Sequence, residues 1–123
     1  MNKALVVDDS PVIRKIARQM MERLHFRVRE AEDGAIAMQE CASDMPDVIL
    51  LDWNMPVMSG FDFLKQLRAM PGGDKPKVVF CTTENSVANI ERAMSAGADE
   101  YIMKPFDEFI IREKLLQIGF AVV

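Results

Sequence analysis

Five side chains able to do polar chemistry stand directly after short apolar runs of this sequence. Asp8 and Asp9 follow Lys3–Val7, Asp52 follows Val48–Leu51, Thr82 follows Lys77–Cys81 and Lys104 follows Glu100–Met103. If those runs are parallel neighbours in one sheet, three carboxylates, a hydroxyl and an ammonium converge on one edge of it. Taken singly, Asp8, Asp9 and Thr82 also suit helix starts, where Asp and Thr cap free backbone amides. Asp52 is harder to reduce to a cap, because the four apolar residues before it should carry it into the interior.

Three crowded carboxylates repel one another and raise each other's pKa. A divalent cation together with Lys104 would balance their charge. An all-oxygen donor set without His or Cys favours a hard cation such as Mg²⁺ over zinc or copper. Mg²⁺ commonly bridges one or two carboxylates to a phosphoryl oxygen. A carboxylate can in turn attack a phosphoryl group and form an aspartyl phosphate, with nearby cations stabilising charge on the transferring group. Asp52, central among the five, is the candidate nucleophile.

The elements that must position these residues are legible as alternation. Strands are predicted over Lys3–Val7, Arg27–Ala31, Val48–Leu51, Lys77–Cys81 and Glu100–Met103, three of them nearly continuous aliphatic runs suited to parallel strands covered on both faces. The second alternates charged and apolar residues, which suits a place toward the sheet edge. Helices are predicted over about Pro11–Leu24, Gly34–Cys41, Gly60–Met70, Ser86–Ala96 and Asp107–Ile118. Ser10 is the N-cap of the first, with Pro11 at its first position. Its apolar stripe runs through Val12, Ile13, Ile16, Ala17, Met20, Met21 and Leu24. Gly97 and Gly119 fall where helices end. Strict alternation predicts an α/β domain, a parallel sheet with helices on both faces and right-handed crossovers. Ligands of such sheets bind off the carboxyl ends of the strands, which is where the five residues fall.

Composition agrees with one domain. The chain has 123 residues, half of them hydrophobic and 28% charged, with net charge −4. That excludes a disordered tail and argues against a basic nucleic-acid or membrane-surface footprint. Asp8 and Asp9 interrupt any signal-peptide reading, and runs such as Val48–Leu51 and Val78–Cys81 are far below the ~20 residues a bilayer requires. A cytoplasmic location is expected. Cys41 and Cys81 read as buried thiols, and a lone His25 without a Cys-x-x-Cys offers no zinc site. The ten methionines read chiefly as core fillers.

Together the segments Val6-Val7-Asp8-Asp9-Ser10, Leu50 to Gly60 around Asp52, Thr82 with Glu84, and Tyr101-Ile102-Met103-Lys104-Pro105-Phe106 resemble the receiver domain of bacterial response regulators over the whole chain. With no output module attached, the chain is most similar to the stand-alone, CheY-like regulators of chemotaxis. The resemblance implies a flavodoxin-like (βα)5 doubly wound fold with strand order 2-1-3-4-5, as a single domain over residues 1–123. It implies Asp52 as phosphoacceptor and Mg²⁺ held by Asp9, by Asp8 through water, by Asp52 and by the Asn54 carbonyl. Lys104 and Thr82 would contact the phosphoryl group, and Tyr101 would turn from exposed to buried. A partner face with Ile90, Met94 and Tyr101 would then change on the fourth helix, fifth strand and fifth helix. A cis Lys104–Pro105 bond is implied too. The implied partners are a histidine kinase as donor and a downstream target protein, the flagellar motor switch by family default, for a protein that is a monomer and no true enzyme.

Thr83 stands where the family commonly has a smaller residue and is expected to narrow access to the site. Asn54 and Glu84 resemble the rapidly cycling regulators. Trp53 beside Asp52 is a built-in reporter, and the tail Phe120-Ala121-Val122-Val123 should pack back on the domain. Competing readings are a flavodoxin-like carrier, disfavoured because Asp8-Asp9 would repel a flavin phosphate, and a Mg²⁺-dependent phosphatase, for whose specificity cap the chain has no room. A dinucleotide binder lacks its arginines. A phosphate sink and an interaction module that is never phosphorylated remain as alternatives.

Overall fold

The computed structural model describes residues 2–83 and 86–122, so Glu84 and Val123 lie outside the described residues. The strands are β1 (Lys3–Val7), β2 (Arg27–Ala31), β3 (Val48–Asp52), β4 (Lys77–Thr82) and β5 (Glu100–Met103). The helices between and after them are α1 (Pro11–Arg23), α2 (Gly34–Ser43), α3 (Gly60–Ala69), α4 (Val87–Ser95) and α5 (Glu108–Gln117). All strand pairs are parallel, in the order β2-β1-β3-β4-β5. This is the expected flavodoxin-like arrangement, with β2 at an edge.

Alternation along each strand divides the core into two layers. Ala4, Val6, Val48, Leu50, Val79, Cys81 and Ile102 face α1 and α5, meeting Ala17, Met21, Ile111 and Leu115. Leu5, Val7, Ile49, Leu51, Val78 and Phe80 face the other way, against Ala37, Cys41, Phe63, Leu64 and Ala93 of α2, α3 and α4. Both cysteines are buried free thiols. Of the methionines, Met21 is fully buried and Met20, Met38, Met45, Met55, Met58 and Met70 pack partly on the two cores, while Met94 and Met103 are exposed.

Helix ends differ from expectation by a residue or two. Ser86 and Asp107 are caps, with side chains accepting from the Asn89 and Ile110 amides, and α2 runs on to Ser43. Gly97 and Gly119 take positive φ just past α4 and α5, but α1 ends on His25 at φ 71. There the His25 amide donates to Glu22 and the Phe26 amide to Met21, the paired bonds of a left-handed helix stop. The expected apolar stripe of α1 is too wide for the sheet to cover: Ala17 and Met21 are buried, whereas Val12 is 66% and Ile16 43% exposed.

Arg68 stitches the ends of three elements. Its guanidinium donates to the carbonyls of Gly73, Pro76 and Gly97 and to the Asp99 carboxylate. The tail packs back: the Phe120 ring meets Phe26 edge-on at 5.6 Å, and Val122 rests on the same core. Among the described residues no helix is long and apolar enough to cross a membrane.

Candidate functional site

The strand register places Asp52 and Thr82 at the ends of the adjacent strands β3 and β4, Asp8 and Asp9 follow β1, and Lys104 directly follows β5. Asp52 pairs in register with Cys81, Thr82 with Met103, and the Lys104 amide donates to the Thr82 carbonyl at 2.9 Å. Asp8 follows β1, its amide held by the Ala31 carbonyl of β2 at 3.1 Å. α3 starts hard against the same edge. A side chain at Gly60 would collide with the Asp52 carbonyl oxygen, so glycine there lets its amide reach the Trp53 carbonyl at 2.9 Å.

Capping does not account for these residues. Ser10 caps α1 and Ser86 caps α4. The Asp8 carboxylate instead accepts from the Ser10 amide at 2.9 Å with one oxygen and from the Lys104 ammonium at 2.9 Å with the other. The same ammonium donates to Asp52 Oδ1 at 3.1 Å. Asp8, Asp52 and Thr82 are buried, while Asp9 is exposed.

One carboxylate oxygen from each of Asp8, Asp9 and Asp52 lies within 4.8 Å of the others. Three carboxylates against one ammonium leave the cluster two charges negative, and its donors are all hard oxygens, a set that fits a divalent cation such as Mg²⁺. Burial and then the Asp8 charge push the Asp52 carboxyl up to about 6, with Lys104 pulling the other way. Burial disfavours the Lys104 ammonium, but its bond to Asp8 and the charges of Asp52 and Asp8 outweigh that and hold its pKa above the ordinary lysine value.

Several side chains around the cluster escaped the sequence reading. Arg14 of α1 donates to the Asp8 carbonyl at 2.8 Å while its Nε is held by Glu30, which Arg18 also holds. Nothing in the spacing of Arg14 and Glu30 marked them beyond a surface ion pair. Trp53 stacks on Phe61 at 5.8 Å and lies against Phe80 at 5.0 Å, with the Arg92 guanidinium of α4 over Phe61 at 4.6 Å. Tyr101 is half-buried against the core, with the Lys114 ammonium 5.6 Å from its ring. Met94 is exposed, Ile90 is half-buried, and the Lys104–Pro105 peptide is cis.

Comparison with known proteins agrees with this geometry. Residues 4–116 match the response regulator receiver domain family. Chemotaxis protein CheY1 of Helicobacter pylori is 39% identical over 115 residues, covering 92% of this chain and 93% of that one. The structure of chemotaxis protein CheY4 of Vibrio cholerae superposes with TM-score 0.91 at 32% identity, over 96% of this chain and 98% of that one. The receiver domain of a sensor histidine kinase from Pseudomonas aeruginosa, with a magnesium ion coordinated in its active site cleft, gives TM-score 0.85 at 28% identity, over 97% and 98%. With sequence, fold and an acidic cluster bridged by a lysine in agreement, the chain belongs to the response regulator receiver domain family, phosphoacceptor signalling proteins rather than true enzymes.

Proposed function

We propose that this chain works as a single receiver domain that takes a phosphoryl group from a histidine kinase onto Asp52 and so switches a protein-binding face. The observation that carries the reading is the Lys104 ammonium, bonded at once to Asp8 and Asp52 inside a cluster of three carboxylates. Asp8, Asp9, Asp52 and the Asn54 carbonyl would hold Mg²⁺, a choice supported by the donor chemistry and by the magnesium-bound Pseudomonas aeruginosa relative. The bound ion would lower the charge of the cluster and stabilise negative charge on the phosphoryl oxygens.

The protein's own residues do the rest. A buried Asp52 oxygen is aimed by its strand at the incoming phosphorus, so attack needs little reorganisation. Lys104 neutralises charge that develops on the phosphoryl oxygens. The Thr82 hydroxyl, one strand away, supplies a hydrogen bond to the product. Phosphorylation turns a single negative charge into one of about −2 with new acceptor oxygens, and only contacts that differ between the two states can shift the equilibrium. Thr82 and Lys104 make that difference, and Tyr101, Ile90 and Met94 carry it to the face formed by α4, β5 and α5. The names of the Helicobacter pylori and Vibrio cholerae relatives support a place in chemotaxis, with the flagellar motor switch as default target, and a cytoplasmic monomer fits that role.

Trp53, stacked next to the acceptor, reports the site directly. Its fluorescence should change saturably with Mg²⁺ and again with beryllofluoride, a phosphoryl mimic, and Asp52→Asn should abolish the second change. A beryllofluoride response retained in Asp52→Asn would remove Asp52 as the acceptor, and no response to either ligand would favour a module that is never phosphorylated.

A further inference from the structure

The three carboxylates of the cluster are not held alike. Lys104 bonds to Asp8 and to Asp52, and the Ser10 amide adds a second bond to Asp8. Asp9 is exposed, and its carboxylate has no hydrogen-bond or ion-pair partner among the described residues. Yet one of its oxygens lies within 4.8 Å of an oxygen of each of the others. Its aim is therefore set by the backbone that carries it. The peptide plane ahead of Asp9 contains the Asp8 carbonyl, and that carbonyl accepts from the Arg14 guanidinium at 2.8 Å. Glu30 of β2 holds Arg14 in turn, accepting from its Nε at 2.8 Å and from Arg18 at 2.7 Å. The Asp8 amide donates to Ala31, the next residue of β2, so both peptide planes that flank Asp8 are tied to that strand. A planar guanidinium can grip a carbonyl and a carboxylate at once, which an ammonium does poorly.

We propose that Arg14 is a positioning residue for the cation cluster: through the Asp8 carbonyl it fixes the peptide plane from which Asp9 reaches the ion, and so tunes the site for Mg²⁺ over larger cations. The inference rests on the cluster being a cation site. Charge alone predicts the opposite effect of losing Arg14, since removing a positive group from beside three carboxylates strengthens their attraction for any divalent cation. Geometry predicts weaker binding, and unequally so. Mg²⁺ demands near-ideal octahedral placement of its ligands, whereas Ca²⁺ accepts longer and more flexible arrangements. A loosened Asp9 therefore penalises Mg²⁺ more than Ca²⁺.

The test measures dissociation constants for Mg²⁺ and Ca²⁺ by calorimetry and Trp53 fluorescence, in variants that urea denaturation shows to be folded. Arg14→Met should raise the Mg²⁺ constant roughly tenfold, the scale on which a lost supporting partner weakens a metal site. The Ca²⁺ constant should rise about threefold at most, because its geometry is less exacting. Lys15→Met removes the same charge from the exposed neighbouring position and should leave both constants within about twofold, as a solvated charge is screened. Arg14→Lys keeps the charge but not the fork, so it should weaken Mg²⁺ in the same direction, and it carries the test if Arg14→Met does not fold. An unchanged or lower Mg²⁺ constant in the folded Arg14 variants, an equal loss for the two ions, or the same loss in Lys15→Met would overturn the inference while the cation site stands. If the wild type binds neither ion, the reading of the cluster as a cation site fails and takes the inference with it.

Discussion

Asp52 is kept in an environment that opposes its own charge. Burial raises its carboxyl from 3.8 to about 6, and the Asp8 charge adds to the effect. Between those two values the folded protein holds a proton that the unfolded chain has released, so the folded state binds more protons. Stability must then fall as pH rises through that window and level off above about 6. Asp52→Asn has no such titration, and its amide oxygen can still accept from Lys104. In metal-free buffer the variant should match the wild type near pH 4 and exceed it by on the order of 3 kcal/mol above pH 6, since each pKa unit is worth about 1.4 kcal/mol. Urea denaturation across that range checks the sign. A gap that is the same at both ends would mean that the strain on Asp52 is not electrostatic. Stability given up at this residue is what leaves the site ready for a cation and a phosphoryl group.

At the scale of elements, the connection from β3 to α3 shows a second local cost. The Met58 amide donates to the Pro56 carbonyl at 2.7 Å, closing a three-residue turn about Val57, which sits at φ 70. Turns of this kind with positive φ at the centre are strained, and a β-branched residue is poorly suited to that region. Val57 is 84% exposed, so no packing offsets the strain. Val57→Gly should therefore raise stability by about 0.5–1 kcal/mol in spite of the greater freedom of glycine in the unfolded chain, as read from the urea midpoint. A loss of stability would show that the valine side chain makes contacts worth more than the strain.

No sequence pattern announced that turn, because Pro56 and Gly60 mark a loop without specifying which residue takes positive φ. The strands, by contrast, were legible, since runs such as Val48–Leu51 can lie only where both faces are covered, and the breakers around them allow little else. The acidic cluster was legible because Asp8, Asp9 and Asp52 each stand at the end of such a run. The pocket beside it, which Ile13 and Ile16 line, was not. Ile13 and Ile16 fall at helical spacing like core residues, and only the angle at which α1 crosses the sheet decides which of them is left over. Arg68 escaped for a related reason, since all its partners but the Asp99 carboxylate are loop carbonyls, and backbone atoms leave no mark in a sequence.

Across the whole molecule, stability and chemistry are concentrated at opposite ends of the sheet. The carboxyl ends of the strands carry like charges, a buried carboxylate and the strained turn. The amino ends carry closed packing: α5 runs back along the sheet, the Phe120 amide donates to Leu115 at 2.9 Å, and the Phe120 ring meets Phe26 just ahead of β2. Phe120→Ala removes an aromatic pair and part of a core and should cost about 2 kcal/mol, less than a fully buried phenylalanine because Phe120 is only partly covered. With a strand length between them, its effect should add to that of Asp52→Asn to within about 0.5 kcal/mol. The Trp53 response to Mg²⁺ should likewise keep its midpoint in Phe120→Ala, since Phe120 packs on Phe26 at the other end of the sheet from the acidic cluster. A double variant whose stability departs from the sum by more than about 1 kcal/mol would show instead that strain at the acceptor is transmitted along the strands to the far end. The separation of the two ends would then be one of position only, and the tail would belong to the switch.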